Sequence, residues 1–287
     1  PFIVRVLYVQ LTALPDEVIV ATGPADGRYR QIGEGLKAEL RRRHPRMTVT
    51  LKETDCSLEN LQLLQRGEVD LARHQPDTES ILQEAPTAEH DEIAFVSNLY
   101  SEVAHFIVRN DSDINTPDDL RGHTVAIGQE KSGDYAMSQI LLEHFGLDEQ
   151  AVEVRRFDYV EIEKGLQDGS LDAAFITSGI RADVFKSLLA DGLCRLLDVP
   201  HTDVLSVRHL AVSPYVIPAG LYRPYAPAVP PQDIHTVTLR AQLLTRSDTS
   251  NGLVKAVTGI VLSERCVKQR DLTELFAEGT EFARDQP

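Results

Sequence analysis

Short apolar runs alternate along most of the chain with segments whose apolar residues recur every three or four positions. Val18–Ala21 is such a run, and Ile32, Leu36 and Leu40 follow it at a spacing of four. A short continuous run is typical of a buried strand, and the wider spacing is typical of an amphipathic helix. Strands that alternate with helices predict a parallel or mixed α/β sheet.

The alternation continues to about residue 210. Further strands are predicted at Met47–Leu51, Val69–Ala72, Ile93–Val96, Val103–Val108, Thr124–Ile127, Val152–Val154, Ala173–Ile176 and Cys194–Leu197. Ser57 and Ser132 are predicted to cap helices. After residue 210, a cluster of prolines predicts a long irregular segment before a strand over Thr236–Thr245. Helices over Leu253–Val267 and Leu272–Phe276 follow.

Length and charge limit the classes of function. The 287 residues allow one or two domains. A formal charge of −15 argues against nucleic-acid binding and against docking on an anionic membrane through a basic patch. Pro1–Val9 is apolar but short, and carries Arg5, so two interpretations stay open. It is either a strand or packed arm, or the end of an anchor helix that was cut from the chain.

Several familiar chemical signatures are missing from the sequence. Cys56, Cys194 and Cys266 form no C-x-x-C pair, and the histidines form no H-E-x-x-H, so no metal centre is predicted. Gly33 and Gly35 match a dinucleotide fingerprint in spacing only, since they lie inside a predicted helix instead of the turn before it. No cofactor is predicted.

Three predicted strands end in a small or polar loop that opens a helix. These loops are Gly23–Tyr29, Thr54–Asn60 and Gly128–Tyr135. Helix N-termini present free N–H groups and partial positive charge, and ligands of open α/β sheets bind at the carboxyl ends of strands. Convergent backbone donors of this kind predict a cleft for a small molecule.

The loops and their neighbours also carry a family resemblance. The matching segments are Ala21–Gly23 with Gly27–Tyr29, Ser57–Leu61 with Gly67–Asp70, Asp118–Gly122 with Val125–Gly128, Ser132–Gly133, and Ile217–Tyr222. In this order, from about residue 17 to 276, they resemble the solute receptors of the TAXI branch of the tripartite ATP-independent periplasmic (TRAP) transporters.

The resemblance implies a periplasmic-binding-protein fold of type II, with two α/β lobes around a central cleft. Residues 17–108 and 210–287 would form lobe I, residues 109–209 lobe II, and residues 1–16 an arm or anchor remnant. It implies a small organic acid or a glutamate-like amino acid as the ligand. The implied contacts are Gly23, Tyr29, Thr54, Ser57, Asn60, Gln75, Ser132, Gly133, Thr177, Ser178 and Gly179.

The chain departs from the family pattern at several of these positions. Asp26, Asp55, Cys56 and Asp134 stand where the family has small or hydroxyl residues, and Arg73 where an apolar residue is common. One interpretation makes the aspartates helix caps. The other has them select a ligand with a cationic group, or one bridged by a cation. Arg28, Arg73 and Arg181 are then candidates for a carboxylate clamp.

The leading hypothesis is an extracytoplasmic or periplasmic receptor that captures a small solute and delivers it to the membrane subunits of a TRAP permease. The receptor would close by a hinge motion, and the N-terminus would allow a membrane anchor. Two alternatives stay open. A membrane-anchored sensing domain would use the same cleft, and an enzyme on the same fold would use Cys56 as its nucleophile.

Overall fold

The computed structural model describes residues 13–23, 28–76, 78, 93–190 and 192–263. Its strands are β1 (Glu17–Gly23), β2 (Thr48–Glu53), β3 (Leu71–His74), β4 (Ile93–Arg109), β5 (Thr124–Ala126), β6 (Glu153–Arg155), β7 (Ala173–Ser178), β8 (Cys194–Leu197), β9 (Ser213–Ile217) and β10 (Ile234–Arg246). Its α-helices are α1 (Arg28–Arg43), α2 (Ser57–Gln65), α3 (Gly133–His144), α4 (Tyr159–Asp168), α5 (Asp183–Phe185), α6 (Thr202–Arg208) and α7 (Asn251–Val261). The predicted mixed α/β architecture is confirmed.

Helix boundaries follow the capping residues of the sequence. The carboxylate of Asp158 accepts the N–H of Glu161, whose own carboxylate accepts the N–H of Asp158, so α4 begins in a reciprocal capping box. Gly169 ends α4 at a φ of 81°, a left-handed conformation that costs glycine little. α1 ends in a run of arginines, which complement the negative end of its dipole.

The described chain forms two compact units. Unit 1 contains the described residues up to Pro76, the part of β4 that ends at Tyr100, and the residues from Arg240 onward. β1 pairs in parallel with β2 and with β3, and β10 pairs antiparallel with β3. One apolar cluster lies under α1 and α7 and a second under α2.

Unit 2 contains Thr78 and the described residues from Ser101 to Leu239. β5 pairs in parallel with β6 and β7, and β4 pairs antiparallel with β7 and β8. Apolar residues pack on both faces of this part of the sheet. One cluster includes Met137 and Leu141 of α3, and the other includes Ile162 and Leu166 of α4.

The strand predicted over Thr236–Thr245 is confirmed as β10. Two other elements differ from the sequence prediction. Ile93–Arg109 is one strand of 17 residues, although the polar Ser97, Asn98, Ser101 and Glu102 divide it into two apolar runs. β9 lies inside the segment predicted as irregular; Pro214 is accommodated there because β9 pairs, among the described strands, with β10 alone.

The predicted lobe boundaries near residues 108 and 209 stay a prediction, because lobes are defined by movement and the compact units by packing. Most of the predicted N-terminal arm and the helix over Leu272–Phe276 lie outside the described residues. Within the described parts of the chain, no helix is long and apolar enough to cross a membrane.

Gly33 lies inside α1. The glycines of a dinucleotide-binding fingerprint lie instead in the turn between a strand and a helix. A Cβ at Gly33 would lie 2.6 Å from Cγ2 of the buried Thr22. Gly33→Ala is therefore expected to lower the free energy of unfolding by about 1–3 kcal/mol, measured by urea denaturation. Gly259→Ala in α7 is the control, since among the described residues its Cβ would meet only Arg43, at 3.9 Å. An equal effect of both variants would contradict the close packing.

Candidate functional site

The carboxyl ends of β1, β2 and β3 lie at one edge of the unit 1 sheet, since the three strands run in parallel. Thr54 follows β2, and Gln75 follows β3. α2 begins immediately after the β2 loop. This topology brings predicted contact residues of unit 1 together, and we call Gly23, Thr54, Ser57, Asn60, Arg73, His74 and Gln75 the unit 1 cluster.

Asn60 is the centre of the unit 1 cluster and is fully buried. Its Oδ1 accepts a hydrogen bond from the Thr54 hydroxyl at 2.6 Å, and its Nδ2 donates to the Arg73 carbonyl at 2.9 Å. The Thr54 hydroxyl in turn accepts the Gly23 N–H at 2.8 Å. One amide side chain thus joins the ends of the three strands.

Ser57 and His74 form a second part of the cluster. The Ser57 hydroxyl accepts the Gln75 N–H at 2.8 Å and lies 3.2 Å from His74 Nδ1. Burial lowers the pKa of His74 to about 4, so the imidazole is neutral at pH 7. Ser57 is therefore not the N-cap of α2, contrary to the prediction.

The cap of α2 is Cys56, whose sulfur accepts the Glu59 N–H at 3.4 Å. Burial, with smaller effects of the Glu59 and Asp55 carboxylates, raises the pKa of the Cys56 thiol. Since the thiolate is the nucleophilic form of cysteine, this position disfavours nucleophilic chemistry. Asp55 is exposed, and its backbone N–H donates to the Glu59 carboxylate at 2.7 Å.

Arg73 brings positive charge into the cluster. Its residue surface is 3% exposed, and Nη2 donates to the Tyr100 hydroxyl at 2.8 Å. The guanidinium carbon lies 4.9 Å from the centre of the Tyr100 ring, within the range of a cation–π contact. A planar guanidinium in a buried setting is suited to bidentate recognition of a carboxylate or sulfonate.

In unit 2, predicted contact residues lie in the loop that precedes α3 and in the first turn of this helix. The Ser132 hydroxyl accepts the Tyr135 N–H at 3.1 Å, which confirms Ser132 as the N-cap. Gly128 has a φ of 80°, and a Cβ there would lie 2.5 Å from the Asp134 Cβ. Glycine at position 128 therefore leaves room for the Asp134 side chain.

The Asp134 carboxylate joins three elements of unit 2. Its Oδ1 accepts the Thr177 N–H of β7 at 2.5 Å, and its Oδ2 accepts the Tyr159 hydroxyl of α4 at 3.0 Å. Burial, together with the nearby Glu102 carboxylate, raises the pKa of Asp134 to about 7, against the lowering effect of these two hydrogen bonds. Asp134 is thus a partly protonated acid near neutral pH.

The family of the chain follows from its sequence. A model of the NMT1-like family matches residues 20–272, which is most of the chain.

The chain belongs to the NMT1-like family.

Solved structures similar to this NMT1-like protein include periplasmic binding proteins. The alkanesulfonate-binding protein SsuA from Xanthomonas axonopodis pv. citri, bound to MOPS, matches with a TM-score of 0.57 and 16% identity, over 96% of this chain and 82% of that one. The periplasmic aliphatic sulphonate binding protein SsuA from Escherichia coli matches with a TM-score of 0.54 and 18% identity, over 93% of this chain and 75% of that one.

A third match is a putative L-cystine ABC transporter protein from Listeria monocytogenes, with a TM-score of 0.55 and 17% identity, over 92% of this chain and 97% of that one. At these identities the likeness establishes the fold. The predicted fold of the periplasmic-binding-protein type is confirmed for this NMT1-like chain. The match to the NMT1-like family is coarser than the predicted TAXI branch, which stays a prediction.

The predicted contact residues of the NMT1-like chain fall into four groups. Those of unit 1 that the structure joins are Gly23, Thr54, Ser57, Asn60, Arg73 and Gln75. Those around the unit 2 carboxylate are Ser132, Gly133, Asp134, Thr177, Ser178 and Gly179. Arg181 and Asp55 are exposed. Asp26 lies outside the described residues, and Arg28 and Tyr29 open α1 with side chains that are not described.

Three polar residues of these sites were not predicted: Tyr100 contacts Arg73, and Tyr159 and Glu102 act on Asp134. His74, the one histidine that the sequence placed near a probable site, contacts Ser57. Glu102 is 1% exposed in a strand that is otherwise mostly apolar from Leu99 to Val108. A lone charge in such a run was the sequence signal that could have found it. Among the described residues, no group of three or more His, Cys, Asp and Glu is arranged to hold a metal ion.

Proposed function

We propose that this protein is an extracytoplasmic solute-binding protein that captures a small polar ligand, an organic acid or an amino acid, for a membrane permease. The observation that carries the proposal is the buried Arg73 of the unit 1 cluster. Ligands of open α/β sheets bind at the carboxyl ends of strands, and Arg73 lies in β3, one residue before its end. The similar structures named for aliphatic sulphonates and L-cystine support a small polar solute.

The ligand carries at least one anionic group, which Arg73 holds. Tyr100 fixes the guanidinium by a hydrogen bond and by contact with its ring face, so the positive charge of Arg73 is held in one orientation. Asn60 fixes the Arg73 backbone through the carbonyl. Pre-orientation lowers the entropy lost on binding and so favours a small ligand.

Binding without catalysis is part of the proposal. The Cys56 sulfur serves as the cap of α2, and the raised pKa of its thiol disfavours the thiolate. Labelling with iodoacetamide at pH 7 in the folded protein is expected to proceed no faster at Cys56 than at a free thiol in solution. Rapid labelling that the ligand blocks would instead support the enzyme alternative.

The anion contact is tested by titration calorimetry with glutamate, glutarate, taurine and ethanesulfonate. Arg73→Gln is expected to weaken binding of the anions that bind by at least tenfold. Arg66→Gln is the control, because Arg66 belongs to the same unit and its side chain is 64% exposed. Thermal melting of each variant separates loss of binding from loss of fold. Unchanged affinity in a folded Arg73→Gln protein would contradict the anion site.

The permease partner is expected to be of the ABC type or of the TRAP type. The Listeria monocytogenes match is a putative ABC transporter protein, which favours the first, and the sequence resemblance to TAXI receptors favours the second. We favour the ABC type. The genes beside the coding sequence provide the test: a permease with an ATPase subunit agrees with it, TRAP membrane subunits would overturn it, and a kinase or cyclase segment would indicate sensing.

A further inference from the structure

A long hairpin loop in unit 2 connects β9 to β10. It spans residues 218–233, and the two strands pair directly beside it, with Ile217 opposite Ile234. Connections longer than about 12–15 residues that have no secondary structure of their own are uncommon in compact domains, and are usually either functional or disordered. The hydrogen bonds and packing of this loop decide between the two.

The base of the loop is fixed to the apolar core of unit 2. Leu221, Tyr222 and Val229 pack against the apolar cluster that contains Phe185. The rings of Tyr222 and Phe185 are 5.7 Å apart, and the Tyr222 hydroxyl lies 2.5 Å from Nε2 of the fully buried His105. Apolar packing and a buried polar contact thus hold the loop in place.

Beyond this base, Arg223 and Val229 close a short turn. Each backbone N–H of the pair donates to the carbonyl of the other, at 3.1 and 2.8 Å, and Nε of Arg223 donates to the Pro227 carbonyl at 2.9 Å. Pro224 and Pro227 restrict two φ angles inside the turn. We call residues 223–229 the Tyr225 turn; its contacts hold the tip in one conformation.

The tip of the Tyr225 turn is exposed and uncharged. Tyr225 is 83% exposed. Residues 224–231 contain no charged side chain, in a chain of which 25% of the residues are charged. Moving such a surface out of water therefore carries no cost of burying a charge. A fixed conformation loses little entropy on binding, and tyrosine is enriched among the residues that dominate the binding energy of interfaces.

The size of the tip limits the kind of partner. A stable protein interface takes about 20–30 residues from each side, many more than the exposed residues 224–227. Stable attachment to a membrane generally takes two signals, and the tip offers one aromatic ring. The tip is therefore suited to be the anchor of a weak, transient contact. A receptor makes such a contact with its permease, which it must leave after each delivery.

We propose that the Tyr225 turn inserts into a concave apolar pocket on the extracytoplasmic face of the membrane permease. The Tyr225 ring fills the pocket, and its hydroxyl forms a hydrogen bond with a polar group of the permease. The inference rests on the proposed function, because it assigns the surface through which the receptor contacts the permease.

Binding to the permease membrane subunits encoded beside the coding sequence tests the inference. The subunits are held in lipid nanodiscs, and the receptor is purified under native conditions. Tyr225→Ser is expected to weaken binding at least tenfold and to leave the melting temperature unchanged, because the ring is exposed. Leu210→Ser is the control, since Leu210 is apolar, 94% exposed and in the same unit. It is expected to change the affinity less than twofold.

The outcomes separate the two proposals. Equal affinity of the wild type and the folded Tyr225→Ser protein would overturn the docking turn and leave the proposed function intact. An equal loss in both variants would also overturn the assignment to this turn. Absence of binding by the wild-type protein would overturn both proposals.

Photo-crosslinking from position 225 identifies the partner. Replacement of Tyr225 by p-benzoylphenylalanine in cells that express the permease is expected to give a crosslink to a permease membrane subunit. Crosslinks only between two copies of this chain would indicate self-association, and crosslinks only to lipid would indicate a membrane contact. Either result, or no crosslink at all, would overturn the inference.

Discussion

Replacing Asn60 by leucine is expected to lower the free energy of unfolding by about 4 kcal/mol. Leucine has a similar volume, so the loss comes from polar groups and not from a cavity. The Thr54 hydroxyl loses its acceptor and the Arg73 carbonyl loses its donor, and each buried unsatisfied group costs about 1–3 kcal/mol. Urea denaturation of the unliganded protein measures the change.

The exposed Asn115 supplies a matched control. Its amide also donates to a carbonyl, that of Asp113, but water can replace the contact. Asn115→Leu is expected to change stability by less than about 0.5 kcal/mol. A loss below about 1 kcal/mol for Asn60→Leu would mean that the strand ends are held together by other contacts. Thr54→Val combined with Asn60→Leu should cost less than the sum of the two single changes, because both remove the same hydrogen bond.

Asn60 shows how far the sequence could predict this site. Its place on the second of the three predicted strand-to-helix loops, Thr54–Asn60, followed from the strand–helix order, since parallel strands bring their carboxyl ends to one edge. Its partners did not follow, because Thr54, Asn60 and Arg73 meet only through tertiary packing. Ser57 illustrates the same limit: its position favoured capping, but its hydroxyl accepts the Gln75 N–H instead.

Strand lengths were predicted less well than strand positions. Polar residues inside β4 suggested a break, although Glu102 is buried there. A buried charge is stable only where the fold supplies partners, and those come from distant elements. Pro214 suggested irregular backbone, yet a proline is tolerated in a strand that pairs on one side. In both cases the local sequence predicted an interruption of the strand. Contacts with residues that are distant in the sequence maintain the strand there.

Asp134 was predicted either to cap α3 or to face the ligand, and in the structure its carboxylate joins α3 to β7 and α4. The tie to Thr177 and Tyr159 exists without any ligand. The departure from the family pattern was visible in the sequence, but the burial that raises the pKa of this carboxyl was not. Because burial raises the pKa of Asp134, the free energy of unfolding depends on pH through this carboxyl group. This effect can be measured without a ligand.

Asp134→Asn is expected to make the protein progressively more stable than the wild type as the pH rises. In the folded protein the pKa of Asp134 is about 7, and in the unfolded chain it returns to its ordinary value of 3.8. Between these values the folded state holds a proton that the unfolded state has released. The stabilisation is therefore full below about pH 4 and is lost as the pH rises through 7.

Urea denaturation at pH 5 and pH 8 measures this loss. Since each pKa unit corresponds to about 1.4 kcal/mol, the advantage of Asp134→Asn should grow by about 3 kcal/mol between the two pH values. Asparagine can keep both contacts, because its oxygen accepts the Thr177 N–H and its amide donates to the Tyr159 oxygen. Asp119→Asn is the control: hydrogen bonds from the backbone N–H groups of Asn115 and Thr116 lower the pKa of Asp119, so its ionisation is complete at both pH values. A pH-independent difference for Asp134→Asn would show that this carboxylate is ionised at pH 5, and that solvent or a neighbouring donor compensates its burial.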